Sequence, residues 1–265
     1  MPDFSAQPAV LVDASTAGDQ QPPLIAALAG GGYAVVWSSS TDQNIYAQRY
    51  DAAGAPAGGP TFVGHVASGS PAAVAGLNDG GLVVLFTDAT GTGNAVFAQR
   101  LDAAGQLAGG ATVVAASTDH SIPVTGDGVQ PLPDGGYLAT YHTEYLPPSP
   151  LQNGTLYAQA FDASGAATAS AVTITALTGE LASSTTVLPD GGWLTTWSSF
   201  VDPHDGLETF TKQFSSAGTV VTGATINPDP AASEVMPSDA VLADGNSVVV
   251  WSSLPGLQAQ LFDPG

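Results

Sequence analysis

One segment recurs five times along the chain, and it restricts the fold more than any other feature. The copies are Leu28-Ala29-Gly30-Gly31-Gly32-Tyr33 through Trp37, Leu77-Asn78-Asp79-Gly80-Gly81-Leu82 through Phe86, and Leu132-Pro133-Asp134-Gly135-Gly136-Tyr137 through Tyr141. They continue as Leu188-Pro189-Asp190-Gly191-Gly192-Trp193 through Trp197 and Leu242-Ala243-Asp244-Gly245-Asn246-Ser247 through Trp251. Each is followed by another apolar run, such as Ile45-Tyr46-Ala47-Gln48-Arg49-Tyr50, that closes at residue 51, 102, 162, 215 or 263. Runs rich in β-branched and aromatic residues between Gly-containing turns read as strands joined by hairpins. No ten-residue window carries a helical apolar period.

A repeat of about 50 residues built from short antiparallel strands predicts an all-β chain, a five-bladed β-propeller of four-stranded blades. The expected blades are 20–64, 65–116, 117–176, 177–227 and 228–265, forming one domain over 1–265. The fifth repeat ends at Gly265 without a fourth strand, so residues 8–13 are expected to supply it and close the last blade.

Charge then removes whole classes of function. The 265 residues hold 23 acidic and 3 basic side chains, a formal net charge of −20. Phosphate backbones and anionic lipid surfaces need Lys and Arg, so nucleic acid and membrane surfaces are excluded as partners. There is no Cys for a disulfide or a thiolate metal site, and no apolar run long enough to insert into a membrane. The N-terminal Met1-Pro2-Asp3-Phe4-Ser5 lacks the basic and apolar regions of a Sec signal. The expected setting is extracellular or cell-surface by another export route, with the cytoplasm as the alternative.

Antiparallel blades put two kinds of connection at opposite ends. One end carries tight Asp/Gly turns, and the other carries the longer, more variable loops where ligands are usually met. His65, His120, His142 and His204 fall at the loop end, with Glu144, Glu180, Glu208 and Glu234. The third blade departs most from the repeat: its loop His142–Gly154 is the longest and contains Glu144 and Tyr145, and Asp127 stands where other blades open with small residues. The candidate ligand-binding set is therefore His120, Asp127, His142, Glu144, Tyr145, Glu180 and His204. An enzyme would draw its carboxylates from Asp127, Glu144, Glu180, Glu234 and Asp239, because glycoside cleavage needs two carboxyl groups. No cofactor is required, and calcium is the metal best matched, through Asp202, Asp205 and Asp88 in Asp/Gly segments. The Asp residues of the tight turns read as turn formers, the Gln48, Gln99, Gln159, Gln260 column as repeated hydrogen bonding, and the Trp column as packing.

The repeated Leu-x-Asp-Gly-Gly-aromatic and Tyr-Ala-Gln-Arg-Tyr-Asp segments resemble a repeat family of large bacterial secreted or surface proteins. Those repeats often stand beside hemolysin-type (RTX) calcium-binding tracts. The resemblance spans nearly the whole chain and weakens in the fourth repeat, at Lys212-Gln213 and Ser215. It implies an extracellular, calcium-rich setting and an adhesive role. The RTX nonapeptide is absent. The first functional expectation is a non-enzymatic module that binds neutral carbohydrate or another cell-surface ligand at the loop end. The alternatives are a glycosidase and a purely structural spacer. Oligomeric state is not readable.

Overall fold

The computed structural model describes residues 11–12, 22–66, 71–144, 153–178, 183–200, 207–226, 235–242, 244–253 and 256–263. Every strand in it pairs with antiparallel neighbours, and no helix occurs among these residues. Sheet 1 runs β1 (Leu24–Ala27), β2 (Tyr33–Ser38), β3 (Asn44–Tyr50), β4 (Thr61–His65). Sheet 2 runs β5 (Ala73–Gly76), β6 (Leu82–Thr90), β7 (Gly93–Leu101), β8 (Thr112–Ser117). Sheet 3 runs β9 (Val124–Pro131), β10 (Tyr137–Glu144), β11 (Asn153–Phe161), β12 (Val172–Thr178). Sheet 4 runs β13 (Ser183–Val187), β14 (Trp193–Phe200), β15 (Leu207–Phe214), β16 (Val220–Ile226). Sheet 5 has three strands among the described residues, β17 (Val235–Val241), β18 (Ser247–Ser253) and β19 (Gly256–Phe262).

The turns show why the repeat reads Asp-Gly-Gly. In sheet 2 the Leu77 N–H donates to Gly81 O at 2.9 Å, and the Asp79 carboxylate accepts the Gly81 N–H at 2.8 Å. Asp134, Asp190 and Asp244 accept the matching amide in their sheets. Gly135 sits at φ 89°, which a side chain rarely adopts. A Cβ on Gly136 would run into the carbonyl of Phe161. In the turns after β3, β7 and β11, one oxygen of Asp51, Asp102 or Asp162 accepts two backbone N–H groups. Next to each, Gln48, Gln99 and Gln159 donate to two carbonyls that link the third strand to the chain leading into the fourth.

Packing runs from each sheet to the next. Four apolar clusters lie between sheets 1 and 2, 2 and 3, 3 and 4, and 4 and 5. The later sheet presents aromatic pairs stacked across its second and third strands: Phe86–Phe97 at 5.5 Å, Tyr141–Tyr157 at 5.1 Å, Trp197–Phe210 at 5.6 Å. The earlier sheet presents small and aliphatic side chains such as Val36, Leu85 and Leu138. The first strands β1, β5, β9, β13 and β17 touch in succession, so they share the inner side of the array.

The closing strand expected over residues 8–13 falls largely outside the described residues, which include only Leu11 and Val12 of it. Two expectations change. The segment 88–94 is a hairpin: the β6–β7 ladder continues through Asp88–Ala95, Ala89–Asn94 and Thr90–Gly93, which leaves Gly91 and Thr92 as a two-residue turn. The long loop of the third repeat is shorter than 142–154, since β10 runs to Glu144 and β11 begins at Asn153.

The turn geometry makes a quantitative expectation. Gly136→Ala places a methyl against a backbone carbonyl and should cost about 3 kcal/mol or more. Gly110→Ala, whose Cβ meets nothing within 4 Å, should change stability by less than about 0.5 kcal/mol. Urea unfolding of the two variants checks the contrast. Equal midpoints would refute the close approach at Gly136.

Candidate functional site

The third sheet carries its unusual residue in an irregular strand. In β9 the pairing with β10 shifts between Thr140 and Tyr141, so Asp127 is the extra residue of a β-bulge between Gly126 and Gly128. A bulge turns its side chain out of the regular alternation, and such features recur beside functional sites. Both glycines lie close to neighbouring side chains. A Cβ on Gly126 would stand 2.9 Å from Leu85 Cδ2, and one on Gly128 would stand 3.0 Å from Thr140 Oγ1. The strand is anchored by sheet 2. The Asn94 side chain donates to Val124 O at 2.7 Å and accepts the Val124 N–H at 3.0 Å. Thr87 Oγ1 accepts the Gly126 N–H at 3.2 Å.

The bulge brings Asp127 to His142 on the adjacent strand. Asp127 Oδ1 lies 2.7 Å from His142 Nδ1, with 16% and 14% of the two side chains exposed. The other oxygen, Asp127 Oδ2, is buried without a hydrogen-bond partner among the described residues. Asp239, on β17, repeats that state. Its Oδ1 accepts the Thr196 hydroxyl at 3.0 Å, and its Oδ2 is buried and unpartnered among the described residues. Ser184 and Thr186 of sheet 4 bond its backbone N–H and C=O. Burial pushes the Asp239 carboxyl above the ordinary carboxylate range, against the smaller opposing pull of those hydroxyls. The first strand of sheet 4, β13, lies between the strands of Asp127 and Asp239.

Other candidates are dispersed. His120 is exposed on the turn after β8 and makes no hydrogen bond to Asp127 or His142 among the described residues. Its neighbour Asp119 is held below the usual carboxylate range by the Ser121 hydroxyl and amide. Glu144 ends β10 opposite Gly154, and only its backbone is described. Tyr145, Glu180, His204, Glu234, Asp202 and Asp205 lie outside the described residues. Asp88, one of the expected calcium ligands, lies in strand β6. One of its oxygens takes the Ala89 N–H at 2.8 Å and the other sits 3.4 Å from His65 Nδ1. No group of three His, Asp or Glu side chains suited to one metal ion occurs among the described residues.

The three cations stay on the third strands. Arg100 pairs with Asp79 at 2.9 Å, Arg49 donates to Gly80 O at 3.0 Å, and Lys212 donates to Ile174 O at 2.6 Å over the ring of Trp197. An open cleft of about 770 Å³, lined by Arg49, Asn78, Asp79 and Gly80, lies at the Asp/Gly-turn end, and no candidate site residue lines it. Sequence reasoning missed Thr87 and Asn94 as anchors of the site. The signal was Gly-Asp-Gly inside a strand, which marks a bulge.

No protein-family model matches the chain, and no curated protein matches it. Solved structures do resemble it. A Dyadobacter fermentans protein of unknown function has a TM-score of 0.59 and 11% identity over 92% of this chain and 79% of its own. A Penicillium chrysogenum alpha-L-arabinanase complexed with arabinobiose has a TM-score of 0.55 and 18% identity, over 92% and 77% of the two chains. A Fusarium graminearum alpha-L-arabinofuranosidase in complex with an iminosugar inhibitor has a TM-score of 0.54 and 14% identity, over 95% and 79%. At these identities the likeness is one of fold. Against the expectation of a non-enzymatic module, and the leaning away from an enzyme, the solved structures that share this fold include enzymes: the arabinanase, the arabinofuranosidase and a puromycin hydrolase.

Asp239 gives this region a pH signature. The folded carboxyl keeps its proton to higher pH than the unfolded one, whose ordinary value is 3.8. The stability this contributes is complete below that value and is lost as pH rises through the raised one. Asp239→Asn should therefore raise the melting temperature at pH 7 by about 2–4 °C, the equivalent of about 1 kcal/mol. The gain should shrink toward pH 3. Parallel melting curves for the two proteins across that range would remove Asp239 as the titrating group.

Proposed function

We propose that this chain is a glycoside hydrolase acting on a neutral glycan, and that its five sheets are the blades of a five-bladed β-propeller. The observation that carries the reading is the half-buried Asp127 carboxyl, held at one oxygen by His142, with the other oxygen buried and without a partner among the described residues. Buried polar atoms are nearly always satisfied, so an orphaned carboxylate oxygen on an inner strand marks a place completed by something else. The fold supports it, since it is shared with an arabinanase and an arabinofuranosidase.

Glycoside cleavage needs one carboxyl to protonate the leaving oxygen and a second to activate water or attack the sugar carbon. Asp127 takes the second role. The hydrogen bond to His142 orients the group and leaves Oδ2 for water or the sugar. Asp239 takes the first role, because burial moves it in the direction an acid catalyst requires. Glu144, Glu180 and Glu234 are the alternatives for the acid. The substrate is neutral because every Arg and Lys is bonded on a third strand, leaving none to neutralise a sugar carboxylate or phosphate. An extracellular setting, where such polysaccharides occur, fits this activity.

The test is sugar release from arabinan and from other neutral polysaccharides, with aryl glycosides as a second substrate set. Asp127→Asn should lower kcat by about 10³-fold on both. Asp239→Asn should lower it by about 10²–10³-fold on the polysaccharide and far less on a dinitrophenyl glycoside, whose leaving group needs no proton. No sugar release from any of them, or full activity in Asp127→Asn, would overturn the reading. If Asp239→Asn loses equally on both substrates, the acid is one of the three glutamates.

A further inference from the structure

Arginine occurs twice, at one place in the repeat. Arg49 and Arg100 pair with Ala34 and Val83 of their second strands, and the later repeats carry Ala160, Gln213 and Leu261 there. In the second repeat the guanidinium is neutralised from its own sheet's turn. Asp79 Oδ2 lies 2.9 Å from Arg100 Nη2, while Asp79 Oδ1 accepts the Gly81 N–H. The first repeat keeps the arginine and loses the aspartate. Leu28-Ala29-Gly30-Gly31-Gly32 aligns with Leu77-Asn78-Asp79-Gly80-Gly81, so Gly30 stands at the place of Asp79.

The result is a cation without a counter-charge. Arg49 is half-buried, and no Asp or Glu forms an ion pair with it among the described residues. It turns to sheet 2 and donates from Nη1 to Gly80 O at 3.0 Å and to Asp102 O at 3.5 Å. Its Nε and Nη2 donate to nothing among the described residues. The stem rests on Gly105, where a Cβ would come within 2.9 Å of Arg49 Cδ, so the head group is held in place. The cleft of about 770 Å³ at the turn end opens at this spot, and both Gly30 and Arg49 line it. A Cβ on Gly30 would meet nothing within 4 Å. The space that a carboxylate fills in the second repeat is therefore open in the first. Small side chains such as Ala29, Ala57 and Ala104 form much of the remaining wall. The two acidic residues of the cleft are engaged, Asp79 by Arg100 and Asp51 by the amides of Ala53 and Ala55.

We propose that this cleft is a second binding site, for a small organic carboxylate that takes beside Arg49 the place Asp79 takes beside Arg100. The planar fork of a guanidinium matches the two oxygens of a carboxylate. A monoanion is favoured over a phosphate, because Asp51 and Asp79 share the cleft and repulsion grows with the charge of the ligand. The volume is that of a small-molecule site. The cleft lies at the opposite end of the sheets from His142, and the proposal is independent of the hydrolase reading.

The two arginines give a simple readout in the full chain. Their Nε–H signals are followed by heteronuclear NMR, assigned with Arg49→Lys. The probe is propionate at fixed ionic strength, with propionamide as its uncharged isostere. Propionate should shift the Arg49 signal saturably, with a Kd in the millimolar range, and should leave Arg100 unmoved. Propionamide should move neither. Gly30→Asp supplies the carboxylate from the chain itself and should weaken propionate binding by at least about tenfold. Gly30→Ala enters the same space without charge and should keep the Kd within about twofold. Far-UV circular dichroism checks that both variants fold, and the contrast between propionate and propionamide in the unaltered chain stands without them. No shift at Arg49, equal shifts at both arginines, an equal response to propionamide, or undiminished binding by Gly30→Asp would each overturn the proposal.

Discussion

The structure depends on the need of each sheet to bury both of its faces. An antiparallel sheet in water can leave one face wet, but sheets 2, 3 and 4 have apolar side chains on both sides of their second strands, as in Leu82-Val83-Val84-Leu85. Such a sheet is stable only between two others. The repeat meets this by giving one face large flat rings and the other small aliphatic groups. Trp193, Trp197 and Phe214 enter the surface formed by Leu138, Leu156 and Ile174. Stacking in register then becomes the only arrangement that satisfies every copy, and it sets the inner strands side by side.

Acidity serves this packing and does not oppose it. Asp51, Asp102 and Asp162 satisfy backbone amides of tight turns, where a lysine would add nothing. In the fourth repeat Ser215 takes the same place, and its hydroxyl accepts the Thr219 N–H at 3.2 Å. The resemblance to this repeat pattern is therefore weakest where a second side chain performs the same bonding. The few cations act on backbone carbonyls or on Asp79, which fixes them to strands and away from the loops.

The site departs from the repeat where local regularity is given up. The fourth sheet exchanges apolar contacts for hydroxyls at Thr185, Thr195, Thr196, Ser198 and Thr209, and Asp239 of the fifth sits half-buried beside it, its Oδ1 bonded to Thr196. A carboxyl in that position lowers stability at neutral pH. Groups held at such a cost are typical of functional sites, where activity and stability conflict. Asp127 follows the same logic by a different route, a bulge that breaks the ladder to deliver one side chain to His142.

The strands, the tight turns, the five repeats and the candidacy of Asp127 and Asp239 as carboxylates were legible in the sequence. They are local: a two-residue period and an Asp-Gly-Gly turn are written in consecutive residues. The pairing of Asp127 with His142 was not legible, because it needs a register shift that only the partner strand reveals. Segment 88–94 looked like a metal loop for the same reason, since Gly and Asp mark a hairpin and a ligand loop alike. The burial of Asp239 depends on Thr186 and Thr196, both more than forty residues away in sequence. Tertiary structure decided which carboxyls lose water and which neighbours they meet, because desolvation and orphaned lone pairs arise between sheets and leave no mark within a strand.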